Sequence, residues 1–178
     1  MVLMVITILT IWANYESAER AVEYVVVGKA IGGDKVLSLL LMEATHFVHN
    51  LLYADPRYPR KDIHTVVLSI DSNYTDNAVT EDNVIHINSE YITGSLEDEI
   101  RGLLYRETGR LWLWDGARKA PLGLLEGMTE YIKLAAGFNV PTPSVLMNVF
   151  DNTERVWDTG GLVTAMYLQD CEGIRVGL

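Results

Sequence analysis

Cysteine is almost absent from this chain: Cys171 is the only one in 178 residues. No disulfide can close within it, and a zinc site built on several thiolates is excluded as well. Cysteine usage therefore carries no information about compartment. Basic residues are also scarce, 14 Lys and Arg against 24 Asp and Glu, for a net charge of −10. A surface of that sign repels a phosphate backbone, so no nucleic-acid partner is expected. Long hydrophobic runs are missing too. The apolar stretch that opens "MVLMVITILTIWANYESAER" covers about 13 residues, too few to cross a bilayer as a helix. No transmembrane segment is expected anywhere else. Repeats, low-complexity tracts and Pro- or Ser-rich linkers are lacking, which leaves one domain over 21–178 behind residues 1–20. Neither a Ser/His/Asp order nor a phosphate-binding glycine loop is present, and Gly32-Gly33 reads only as a turn.

Hydrophobic residues make up 49% of the chain and charged ones 21%, ordinary usage for a domain that buries a core. Residues 1–20 have the apolar length of a signal peptide but no Lys or Arg before the run. Val, Ile and Thr in the same run suit a β-strand, and both readings stay open. Further on, "AVEYVVV" (21–27), "IHTVVLSI" (63–70) and "NVIHINS" (83–89) read as strands, with "DSNYTDN" a polar loop between the last two. A helix capped by Asp34 runs to about Leu52, burying Val36, Leu40, Ala44, Phe47 and Leu51. A second begins near Ser95, with Glu97, Asp98 and Glu99 in its first turn, and reaches about Trp114 before Asp115-Gly116. Pro121 opens a third that ends at Gly137, "TPSVLMNVF" forms a short helical piece, and a last helix covers Leu162 to Cys171. Strands and one helix first, then mostly helices, predict an α+β fold with a small mixed or antiparallel sheet.

The second helix carries the chemistry. Leu96, Ile100, Leu103, Glu107, Leu111 and Trp114 share one face, and only Glu107 among them is polar. A carboxylate on an apolar stripe either escapes to water at its edge or is met by a cation or by donors. Arg106 and Arg110 stand one turn apart on the same helix, as on an ordinary solvated face. Glu126 follows Arg110 by 16 residues, in "LLEGMTEY".

Together, "GLLYRETGRLWLWDG" and "APLGLLEGMTEYIKLAAGF" resemble the plant basic secretory protein family, classed with zinc metallopeptidases. The likeness extends to "NVIHINSEYITG" and "RVWDTGGLVTAMYLQDC", over roughly residues 20 to 171. It implies a zincin-like domain whose helix carries H-E-x-x-H: two histidines four apart grip zinc while the glutamate between them acts as general base. By the resemblance, Glu107 matches that base and Glu126 a third ligand from the following helix, with Trp112, Trp114, Gly116, Pro121 and Gly127 as framework. Both histidine positions are arginines here, Arg106 and Arg110. A guanidinium has no lone pair to donate and stays protonated, so no zinc or other cofactor is expected and Glu107 is left as an inactive remnant. Gly161 stands where members typically carry tyrosine, and this chain is acidic where the family is named for basic proteins. Members also continue past Leu178, which leaves open a truncated copy without activity of its own.

The resemblance further implies secretion and a defence setting, with a cytoplasmic location as the alternative. The leading expectation is a non-catalytic member whose cleft binds a peptide or protein. A peptidase working through a displaced metal is the alternative. Two arginines replace the charge of the lost ion and are expected to engage Glu107, Glu126 or nearby main-chain oxygens. Glu126 is the better directed of the two, because neighbouring helix positions point apart. The strand of Val84, Ile85, His86 and Ile87 is expected to receive an extended peptide as an added β-partner, with His86 itself structural. "EATHFVHN" spaces Glu43, His46 and His49 three apart, an alternative metal site. Asn73-Tyr74-Thr75 is a glycosylation sequon in a loop.

Overall fold

The computed structural model describes residues 22–28, 33–55, 57–139 and 161–176, with side chains as far as 172. Residues 1–20 and the piece at 142–150, for which a leader or strand and a helix are expected, lie outside the described residues.

Four strands form one mixed sheet in the order β1-β2-β4-β3. They are β1 (Glu23–Gly28), β2 (Thr65–Asp71), β3 (Ala78–Glu81) and β4 (Val84–Asn88). β1 pairs parallel with β2, β2 parallel with β4, and β3 antiparallel with β4. Parallel neighbours need a crossover, and α1 (Asp34–Leu52) supplies the one between β1 and β2. Alternation along the strands turns Val66, Leu68 and Ile70 of β2, with Ile85 and Ile87 of β4, onto a buried face. Val67, Ser69, Val84 and His86 occupy the opposite face and stay partly exposed. Helices α2 (Ser89–Gly94), α3 (Glu97–Trp112), α4 (Leu122–Ala135) and α5 (Gly161–Val176) complete the described elements. Leu37, Leu41 and Val48 of α1 meet Leu104, Leu111 and Trp112 of α3 and Ile132 of α4 over the buried face of the sheet. This is the expected α+β class, one mixed sheet under a layer of helices.

Three expectations need correcting. In α1 the buried stripe is Leu37, Leu41, Ala44, Thr45 and Val48, while Val36 is 52% exposed. Apolar residues run almost all the way round "VLSLLLM", so periodicity alone does not choose the face that the sheet and α3 claim. Asp34 is the first residue of that helix rather than its cap. Gly33 takes the cap position at φ 90° and no side chain bonds there. The second helix starts close to Ser95 as expected, but a short helix that was not expected, α2, precedes it. Asn88 caps the short α2 by accepting the Glu90 N–H at 2.8 Å, and α3 opens anew with Glu99 Oε2 accepting the Leu96 N–H at 2.9 Å.

The far end of α3 corrects the place expected of Trp114 on the buried stripe. Leu113 leaves the helix in an extended conformation, which swings Trp114 outward to 57% exposure. Its indole N–H donates to Pro59 O at 3.0 Å. Trp112 is the core residue, 2% exposed. Two carbonyls left open at the helix end are taken up from the chain before β2: Tyr53 Oη donates to Trp112 O at 2.5 Å and Lys61 Nζ to Leu111 O at 2.8 Å. β3 is an element for which no strand was expected. Its signal was the short β-branched pair Val79-Thr80 followed by Asp82-Asn83, a turn pair that closes a hairpin onto β4.

Candidate functional site

Three elements converge on Glu107. α3 presents Arg106, Glu107 and Arg110, β3 lies across them, and α4 brings Glu126 and Glu130 from the side. The approach of the helices is set by glycines. A Cβ on Gly109 would stand 2.6 Å from Ile132 Cδ1, and one on Gly127 would stand 2.2 Å from Thr164 Cβ. Gly109, which costs about 1 kcal/mol of helix propensity relative to alanine, is thus what lets α4 close on α3. Gly127 does the same for α5 on α4, and Glu126 is fixed beside it.

Glu107 is 2% exposed. Thr80 Oγ1 of β3 donates to its Oε2 at 2.7 Å, a hydrogen bond that holds the carboxylate in one rotamer. Arg106 Nε lies 3.9 Å from Oε1 and Arg110 Nε 3.7 Å from Oε2, so one carboxylate sits between two guanidinium groups. These separations are ion pairs and too long for hydrogen bonds. Both Nε atoms are buried and have no hydrogen-bond partner among the described residues. Arg106 Nε also stands 3.9 Å from Glu130 Oε2, and Glu130 is paired in turn with Lys133. The partner of both arginines is therefore Glu107 and not Glu126. Adjacent Cα positions do point apart, but arginine is long enough to fold back over a neighbouring carboxylate, and β3 closes the way out. Among the described residues no ion pair or hydrogen bond engages the Glu126 carboxylate.

The cluster forms the floor of a cleft of about 420 Å³. Ala78, Val79 and Thr80 of β3 make one wall, Leu103, Arg106, Glu107 and Arg110 the base, and Glu126 the far side. Arg106 and Arg110 each keep about a third of the side chain exposed, 35% and 33%.

β4 does not have the place expected of it. Val84, Ile85, His86 and Ile87 are interior, hydrogen-bonded to β2 on one side and to β3 on the other. A peptide has no edge there to join. β1 and β3 are the edge strands among the described residues, and of the two it is β3 that borders the cleft. His86 lies on the face of β4 away from the buried isoleucines. Its Nδ1 is 3.4 Å from Asp71 Oδ2, and its ring is tilted against Tyr74 at 4.7 Å. The Asn73 N–H, then the Ser69 hydroxyl and His86, hold the Asp71 carboxyl below its ordinary range.

Glu43, His46 and His49 do not assemble either. Glu43 pairs with Arg101 at 3.5 Å and His46 is exposed. The His49 ring stands edge-on to Trp112 at 4.2 Å, where burial, with His46 nearby, lowers its pKa. No three His, Cys, Asp or Glu side chains among the described residues are grouped so as to hold a metal. Asn73 is exposed in the loop after β2, as expected of a sequon.

The four residues at the positions that the resemblance gives to the zinc site do not by themselves fit a zinc ion. Of Arg106, Glu107, Arg110 and Glu126, only the carboxylates have lone pairs to give. Glu107 is already held between two fixed positive charges, which a dication would have to displace. What the arrangement offers instead is a buried anion, two cations whose outer faces meet solvent, and a strand edge alongside.

Among the described residues no helix is long and apolar enough to cross a membrane. Searches of the curated proteins and of the solved structures return no match. Residues 28–178 match the sequence profile of BSP, described as peptidase of plants and bacteria. That match spans most of the chain and includes every residue of the cleft, so the protein belongs to the basic secretory protein family of peptidases.

Proposed function

We propose that this chain is a non-catalytic member of its family, a zincin-like domain that keeps the cleft and uses it to bind an extended peptide. The observation that carries the reading is the closure of Arg106 and Arg110 on Glu107, at 3.9 and 3.7 Å. The family resemblance assigns those two positions to metal-binding histidines and Glu107 to the general base. In this chain the base is neutralised by permanent cations, and no side chain of the floor can polarise a scissile carbonyl as a Lewis acid would. The β3 edge beside the cleft supports the binding half of the reading, since an extended chain gains main-chain hydrogen bonds by joining an open strand. Secretion and a defence setting rest on the resemblance alone.

The unengaged Glu126 carboxylate favours a second reading, a peptidase with its metal displaced toward α4. One experiment separates the two. Protein purified without chelators is assayed for bound metal, titrated with zinc and tested for hydrolysis of an unstructured protein substrate. The expected outcome is no tight zinc and no hydrolysis. About one tight equivalent of zinc per chain, with hydrolysis that a chelator abolishes, establishes the second reading instead.

A further inference from the structure

The two arginines are only half used. Each approaches Glu107 through Nε, and that atom is buried. The exposed third of each side chain therefore lies elsewhere on it, and no hydrogen bond among the described residues takes up the Nη groups. A guanidinium carries five N–H donors in a planar fork, so each arginine presents unspent donors to the cleft. One helical turn separates the two residues, which puts both forks on one side of α3. Glu107 is held by Thr80 below them and cannot rotate up to satisfy them without losing the 2.7 Å bond.

We propose that Arg106 and Arg110 together form the receptor for a carboxylate carried by a peptide, the terminal carboxylate of a chain lying along β3. This rests on the peptide-binding reading above and names the group that the cleft selects. Charge argues for a peptide over a free anion. Asp76, Glu107 and Glu126 set three negative charges in the lining against the two guanidinium groups, and the whole chain carries −10. A free oxyanion is repelled at long range by that balance, and a dianion such as phosphate doubly so. A single carboxylate delivered on a backbone already paired with Ala78–Glu81 meets only the local donors. Main-chain pairing supplies the approach, and the arginine forks fix where the chain must end.

The test compares N-acetyl-tetraalanine as free acid and as C-terminal amide, titrated against the full chain and followed by nuclear magnetic resonance, with sodium acetate and inorganic phosphate as further titrants. A charge-assisted pair predicts that the acid binds about tenfold or more tighter than the amide. Arg106→Gln and Arg110→Gln are expected to erase that preference, so that the acid and the amide bind each variant alike. Arg110→Lys, which keeps the charge and loses the fork, retains only part of it. The acid–amide comparison needs no variant, so it stands even if a substitution unfolds the chain. Equal affinities for acid and amide overturn the carboxylate receptor and leave peptide binding intact. Binding of neither removes both. Acetate or phosphate binding as tightly as the acid assigns the arginines to free anions and overturns the proposal.

Discussion

Stranding Glu107 is the sharpest perturbation available. In the double variant Arg106→Ala/Arg110→Ala, a carboxylate that is 2% exposed loses both of its cations and keeps only the Thr80 hydroxyl. Removing one partner from a fully buried ion pair costs about 3–5 kcal/mol, because the remaining charge is left without compensation. Here the arginines are a third exposed, so water enters where they stood and partly rehydrates the carboxylate. The lower end of that range is expected, about 3 kcal/mol. The triple variant Arg106→Ala/Glu107→Ala/Arg110→Ala loses the same stems but leaves no charge behind, and its cost falls to about 1–2 kcal/mol. The triple variant is thus more stable than the double although it carries one more substitution. Urea unfolding reads the difference directly. Melting gives it as well, at roughly 2–4 °C per kcal/mol for a chain of this size. A double variant within about 0.5 kcal/mol of the parent, the range of ordinary surface substitutions, would show the arginines to be a plain solvated face and the reasoning wrong.

Replacing Arg106 and Arg110 by histidine is expected to create zinc affinity where the parent has none, read by calorimetric titration. Absence of any gain would mean that the family's ligand positions lie elsewhere in this chain. Gly127→Ala drives a Cβ to 2.2 Å from Thr164 Cβ, a rigid branch point, whereas Gly109→Ala meets the mobile tip of Ile132 at 2.6 Å. Overpacking costs about 1–3 kcal/mol, and Gly127→Ala is expected at or above the top of that range. Gly109→Ala, offset by about 1 kcal/mol of helix propensity, is expected near the bottom; the opposite order on melting refutes the packing account. His49, pressed against Trp112, has its pKa lowered by burial, so the unfolded chain binds the proton more readily than the folded one. Its contribution is complete above the ordinary histidine range and is lost as pH falls through that range toward the lowered value. His49→Gln is expected to flatten the acid side of a stability–pH profile across that window.

The β-branched runs and the capped helices were legible because their signals are local. β1, β2, β4, α1 and α4 stand close to the boundaries that turn residues and caps imply, and α5 starts where expected but runs past Cys171 to Val176. What escaped was decided by partners. The buried face of α1 depends on which side α3 and the sheet approach, and a helix rich in leucine all round does not announce it. Trp114 falls off the buried stripe because α3 stops two residues early, at a point fixed by Tyr53 and Lys61 from another part of the chain. β3 is too short to stand out, and missing it made β4 look like an edge strand. At the site, Arg106, Glu107, Arg110 and Glu126 do share one cleft. Of the two carboxylates expected to meet the arginines, the less favoured one, Glu107, is engaged, because Cα directions are a poor guide to where a long arginine ends; Glu130 carries no signal apart from its place one turn after Glu126.

The glycine contacts have a consequence for how the cleft can respond to what enters it. α3, α4 and α5 are keyed together where side chains are missing, so they have no slack along which to slide. A guest that displaced one helix past another would have to break these close contacts. Among the described residues, adaptation then falls to the two guanidinium arms, and discrimination between guests becomes a matter of reach and angle.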